Sequence, residues 1–202
     1  MNPYDATIRT VKRDLDRLKL RWALVGAGAV SARSAPRTTN DIDVAVSVAA
    51  DAEAEQVVHR LLKMGYAVEA LLEDKNDKGL VTVRLRCPQK AGTVFLLDLL
   101  FRTSGIEREV VDAARPANLT PTLSINAAAT GHLIAMKVLS ARDTRPNDVE
   151  DIVRLVRVAS EQELERARKS VRLMTERGYG EGRDLPQELE SHISRALNEP
   201  PL

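Results

Sequence analysis

The sequence predicts an α+β (mixed α/β) fold: a small mixed β-sheet flanked by helices over residues 1–115, then a helical carboxy-terminal region over residues 116–202. Three observations carry this expectation. Short apolar or alternating segments suited to strands are concentrated before residue 102, helical stripes separate them, and the texture after Ser124 is wholly helical. In order, Ile8, Val11, Leu15 and Leu18 recur at helical spacing, so residues 4–20 read as an amphipathic helix. Trp22 to Val25 is a short strand stopped by Gly26. Ile42, Val44, Val46 and Val48 alternate with Asp41, Asp43, Ala45 and Ser47, which marks a strand with one core face and one acid-bearing face. Residues 51–64 carry a helical stripe ending at Gly65, where a left-handed cap costs little.

Residues 66–72 and 80–86 read as two strands joined by a turn at Asp77-Lys78-Gly79, with Arg84 and Arg86 on one exposed face. The run Thr93–Phe101 is apolar except for Asp98 and reads as a central strand covered on both sides. Pro116 and Pro121 bracket a loop, and helices are expected over 126–142, 147–158, 161–177 and 186–198. Ser160 with Glu163 supplies a capping box, and Pro146 suits a first helical turn.

Composition narrows the function. Of 202 residues, 44% are hydrophobic and 29% charged, which excludes global disorder. Lys and Arg number 30 against 29 Asp and Glu, so no overall basic footprint exists, although the first 40 residues hold eight basic and three acidic residues. The single Cys87 allows no internal disulfide and reads as an inert strand thiol. No apolar run is long enough for a membrane span, and the expectation is a soluble cytoplasmic protein. Six aromatic residues leave little for base-stacking platforms. His59, His132 and His192 share no close spacing and give no triad-like context, so a histidine-based hydrolase is not indicated.

Two constellations carry chemistry. Gly26-Ala27-Gly28 after an apolar strand brings backbone amides to a helix amino terminus, an arrangement suited to phosphate, although a tight turn needing small residues would look the same. It is not a dinucleotide-binding fingerprint, because Ser31 stands at the third position and Pro36 follows too soon for a long crossover helix. The second constellation is acidic. Asp41 and Asp43 leave the same face of one strand with Cα atoms roughly 6–7 Å apart. Two such carboxylates repel, and the pair becomes favourable when a divalent cation lies between them, although an ordinary solvated strand start would look the same. Asp98, set amid Phe95, Leu96, Leu97, Leu99, Leu100 and Phe101, needs a cation of its own, whether a metal or the partner Arg84 or Arg86. If its strand lies beside that of Asp41 and Asp43, three carboxylates converge above the glycine turn, as two-metal phosphoryl transfer requires.

Gly26-Ala27-Gly28-Ala29-Val30, then Arg33, then Pro36-Arg37-Thr38-Thr39-Asn40-Asp41-Ile42-Asp43, resembles the opening of the DNA polymerase β-like nucleotidyltransferase superfamily, in particular its minimal branch related to the abortive-infection toxin AbiEii. Lys137, Arg142, Pro146, Asp148, Asp151 and Ile152 fall in the order that branch shows on two consecutive helices. These motifs span roughly residues 22–48, 93–101 and 133–156. The resemblance implies a nucleotidyltransferase-like fold and transfer of a nucleoside monophosphate from a nucleoside triphosphate to an acceptor hydroxyl. It implies two Mg2+ ions on the catalytic Asp41, Asp43 and Asp98, and nucleotide contacts from Gly26, Ala27, Gly28, Arg37, Thr39 and Lys137. Asp148 or Asp151 would orient that lysine. By the same analogy the acceptor would be RNA, such as a transfer-RNA end, and an antitoxin would be a partner. One departure is Ala27, where the family usually has Gly or Ser, which removes a hydroxyl but keeps the amide. From the residues alone, Lys137, Asp148 and Asp151 read more readily as solvated helix charges, and Arg33 and Arg37 either as phosphate contacts or as ordinary surface arginines. Transfer to a small aminoglycoside-like acceptor, or a non-catalytic nucleotide- or partner-binding module of this fold, remain the competing readings.

Overall fold

The computed structural model describes residues 3–34, 39, 41–74, 79–88, 94–141 and 146–198. Pro36, Arg37, Thr38, Asn40, Asp77, Lys78, Thr93 and Arg142 lie outside the described residues. The elements run α1 (Pro3–Arg17), β1 (Arg21–Leu24), α2 (Gly26–Arg33), β2 (Asp41–Ser47), α3 (Asp51–Leu62), β3 (Ala67–Glu73), β4 (Leu80–Arg86), β5 (Leu96–Leu100), α4 (Glu107–Ala113), β6 (Arg115–Thr120) and β7 (Leu123–Ala127). Four helices close the chain: α5 (Thr130–Ser140), α6 (Pro146–Val158), α7 (Glu161–Glu176) and α8 (Leu185–Asn198).

Seven strands form one mixed sheet in the order β3-β4-β5-β2-β1-β7-β6 among the described residues. β2 is central. It pairs antiparallel with β1 and parallel with β5, and β5 pairs antiparallel with β4. Ile42, Val44 and Val46 are buried on the core face, as their alternation requires. Ile8, Val11 and Leu15 of α1 enter the same continuous core. After α3, Gly65 adopts φ +93°, the left-handed conformation that ends a helix without a Cβ clash.

The sheet is larger than the sequence pattern implies. Residues 115–127, expected as a loop and a helix start, form the antiparallel hairpin β6–β7, and β7 joins β1. The physical signal is the alternation of buried Leu123, Ile125 and Ala127 with exposed Ser124 and Asn126. Pro116 is tolerated because β6 is the edge strand and need not donate there. The sheet thus crosses the expected division at 115/116, and the helical region begins at Thr130. Helix α4 was not anticipated by the sequence pattern either; its Glu107 carboxylate caps the preceding turn by accepting from the Ser104 amide at 2.6 Å.

Ser160 caps α7, its hydroxyl accepting from the Glu163 amide at 3.3 Å. Glu163 departs from the expected reciprocal box. Its carboxylate accepts from the Gly131 amide at 2.7 Å, so one acid joins the start of α5 to α7. Helix α2 packs on β2, α5 and α6, which brings the carboxy-terminal helices over the glycine turn. Among the described residues no helix is long and apolar enough to cross a membrane.

Candidate active site

Register assembles the acids. Asp43 on β2 is the direct partner of Asp98 on β5, and Asp98 is the direct partner of Arg84 on β4. Because paired residues point to one side of a sheet, Asp43, Asp98 and Arg84 form a single row, with Asp41 two residues along on the same face. Asp98 is buried, its side chain 9% exposed, whereas the Asp41 side chain is 45% exposed. The crowding is electrostatically visible. Burial, then the charges of Asp98 and Asp41, push the Asp43 carboxyl up to about 7, against the opposing pull of Lys137 and Arg84.

Both oxygens of Asp98 are engaged by Arg84: Nε donates to Oδ1 at 2.7 Å and Nη2 to Oδ2 at 2.6 Å. Nη2 also lies 4.0 Å from Asp41 Oδ2. The partnership of Asp98 with an arginine, left open by the sequence, is therefore realised, and these hydrogen bonds raise the Arg84 pKa. Arg86, on the same strand, instead pairs with Glu69 at 2.5 Å.

The glycine turn lies against these acids. The Val25 amide donates to the Asp43 carbonyl at 2.9 Å, and Gly26 follows with φ +60°. A Cβ at Gly26 would overlap the Asp43 carboxylate, so only glycine allows both the turn and the acid. The first turn of α2 has no side-chain cap and no acid, which leaves its amides for an anion. Gly28 is buried, and a Cβ there would approach the Tyr4 hydroxyl to 3.0 Å. Tyr4 is a site neighbour that sequence reasoning missed. Its pKa is raised by burial first and then by Asp43, and its ring packs edge-on against Phe95 at 6.1 Å between centroids. A tyrosine in an amino-terminal helix gives no spacing signal toward acids forty residues away.

The helical residues form a second cluster. Lys137 Nζ lies 2.5 Å from Asp148 Oδ1 and 2.9 Å from Asp151 Oδ2, and the Ser140 hydroxyl donates to Asp148 Oδ2 at 3.0 Å. Reading these residues as solvated helix charges is wrong: the Lys137 side chain is 14% exposed and that of Asp151 2%. Thr39 lies just before β2, where its hydroxyl accepts from the Asp41 amide at 3.2 Å. Arg33 is not a free phosphate contact. Its guanidinium donates to the carbonyls of Ala127, Ala128 and Arg115, tying α2 to the β6–β7 hairpin.

Among the described residues no three carboxylate, histidine or cysteine side chains are already gathered as metal ligands. The donor set nevertheless fits a hard divalent cation: Asp41, Asp43 and Asp98 share one face of the sheet, and burial together with the charges of Asp98 and Asp41 lifts Asp43. His132 is not part of this chemistry. Burial holds its imidazole down to about 4. Cys87 is free and buried, its thiol pushed up to about 12 by burial.

The chain is similar to several solved structures. An antigenic nucleotidyltransferase-like protein from Paracoccidioides brasiliensis superposes with a TM-score of 0.50 at 17% identity, over 90% of this chain and 89% of that one. The lincosamide antibiotic adenylyltransferase LnuA, solved with lincomycin, gives 0.49 at 14% identity, over 79% of this chain and 100% of the other. A nucleotidyltransferase from H. pylori, described as putative, gives 0.48 at 13%, over 96% and 92%. No curated protein matches the sequence significantly. The family model described as nucleotidyl transferase AbiEii toxin, type IV toxin–antitoxin system, matches residues 10–200. This is a nucleotidyltransferase, with the nucleoside triphosphate substrate and antitoxin partner that such a system implies, and the chain belongs to the AbiEii toxin family.

Proposed function

We propose that the chain is a metal-dependent nucleotidyltransferase that moves a nucleoside monophosphate onto an acceptor hydroxyl of RNA, such as a transfer-RNA end. The observation that carries the reading is the row formed by Asp43 and Asp98 on neighbouring strands, with Asp41 beside it and the Gly26 turn against it. Asp41, Asp43 and Asp98 would hold two Mg2+ ions. Bound there, the ions supply charge neutralisation to the triphosphate and activation of the attacking hydroxyl.

The remaining steps belong to the chain. Amides of Gly26, Ala27 and Gly28 hold the phosphates at the start of α2. Lys137 faces the same region from α5, oriented by Asp148 and Asp151, and adds a positive charge felt at Asp43. Thr39 and Arg37 contribute nucleotide contacts from the segment before β2. The acceptor oxygen forms a bond to the α-phosphorus as the bond to pyrophosphate breaks, and pyrophosphate leaves.

The test is to incubate the protein with Mg2+, total RNA and each α-labelled ribonucleoside triphosphate in turn. Label entering RNA, and lost on chelation, is the expected result. Label entering only small hydroxylated acceptors would replace the RNA assignment. Turnover persisting under chelation would remove the metal.

A further inference from the structure

Resting on the metal-dependent reading above, we propose that Arg84 is a built-in counter-cation: it holds Asp98 while the carboxylate site is ion-free and releases it when a divalent ion is held there. Four observations point this way. First, the pairing is fixed by the backbone, since Arg84 and Asp98 are direct partners across β4 and β5. Second, Nε and Nη2 engage both Asp98 oxygens, and the same Nη2 stands 4.0 Å from Asp41 Oδ2. The guanidinium thus bridges the two acids that a cation between the strands would share. Third, one arginine against three carboxylates leaves the row with surplus negative charge, so the site attracts more cation than Arg84 supplies. Fourth, Arg84 can leave. Its side chain is 40% exposed, and its neighbour on β3 is the small, exposed Ala70.

Lys137 shows the contrasting design, a cation enclosed with its acids. Arg86, two residues along β4, is paired with Glu69 instead. A divalent ion on Asp41 and Asp43 repels a guanidinium at this distance, so Arg84 and the ion compete for Asp98 by direct reciprocal coupling. Arg84 is accordingly a positioning residue, acting through Asp98.

The experiment measures Mn2+ affinity by electron paramagnetic resonance, without nucleotide, on the wild type, R84Q, D43N and the double variant. R84Q should bind Mn2+ about tenfold more tightly than wild type. D43N should lose this binding in both backgrounds. As a second measurement on the wild type, the Arg84 Nε–H resonance should lose its hydrogen-bonded shift and exchange protection in step with added Mg2+. This readout decides the matter if R84Q does not fold. Asp43-dependent Mn2+ binding that is unchanged or weakened in R84Q, or an Arg84 signal indifferent to Mg2+, overturns the counter-cation role and leaves the metal reading intact. Mn2+ binding indifferent to D43N overturns the metal reading, and this inference with it.

Discussion

Two acidic clusters flank the glycine turn, and they are built to opposite plans. On α5 and α6, Lys137 is sealed between Asp148 and Asp151, one cation against two acids, all of them largely buried. On the sheet, Asp41, Asp43 and Asp98 face one arginine that is partly in solvent. The helical cluster is enclosed, its one cation held between both acids. The sheet cluster carries uncompensated charge, which costs stability and is retained where a ligand brings the missing cations. Two groups of the same residue types are thus separated by burial and by charge count, not by composition.

Neutralising one acid should separate them most sharply. Asp43→Asn is expected to lower nucleotidyl transfer by about a thousandfold or more while thermal stability holds or rises, because repulsion is relieved. Transfer of labelled nucleotide and a melting curve on the same sample check both halves. The mirror change in the helical cluster should cost stability as well as transfer. Lys137→Met leaves Asp148 and Asp151 facing each other, and denaturant titration should show a loss of about 3–5 kcal/mol. A loss under about 1 kcal/mol, within the range of surface pairs, would erase the contrast.

Gly26→Ala probes the seam between the regions. The left-handed φ costs an alanine about 1–2 kcal/mol, and the Cβ displaces the Asp43 carboxylate. A misplacement of about 1 Å in a reacting geometry lowers turnover by about a hundredfold, read as kcat against KM for the triphosphate. The smallest effect concerns acid sensitivity of the helical side. His132 is held down to about 4 from its ordinary 6.5, so the unfolded chain takes up a proton before the folded one. Its contribution is fully present above about pH 6.5 and is lost as pH falls toward 4, about 2 kcal/mol between pH 7.5 and pH 5. Urea titrations at the two pH values should show that difference shrinking in His132→Phe.

What the sequence made legible follows from how local each signal is. The Asp41/Asp43 strand, the glycine turn and the Lys137, Asp148 and Asp151 helices announce themselves within a few residues, by alternation, by Gly at a forced φ and by i, i+3 spacing. The β6–β7 hairpin was hidden because prolines at 116 and 121 mimic a loop and the alternation of Leu123, Ile125 and Ala127 spans only five residues. Arg33 looked like a phosphate ligand because nothing in its own segment reveals the carbonyls of 115, 127 and 128 that occupy it. Which of Arg84 and Arg86 meets Asp98, and that Tyr4 lies near Asp43, are set by sheet register and packing, which are long-range.

The most direct test of the account is anomalous diffraction from crystals grown with Mn2+ and a non-hydrolysable nucleoside triphosphate. The expected result is peaks within bonding distance of the Asp41 and Asp43 carboxylates, Asp98 turned toward them and the triphosphate on the Gly26–Gly28 amides. Manganese located elsewhere, or a triphosphate bound with all three aspartates free of metal, would contradict it.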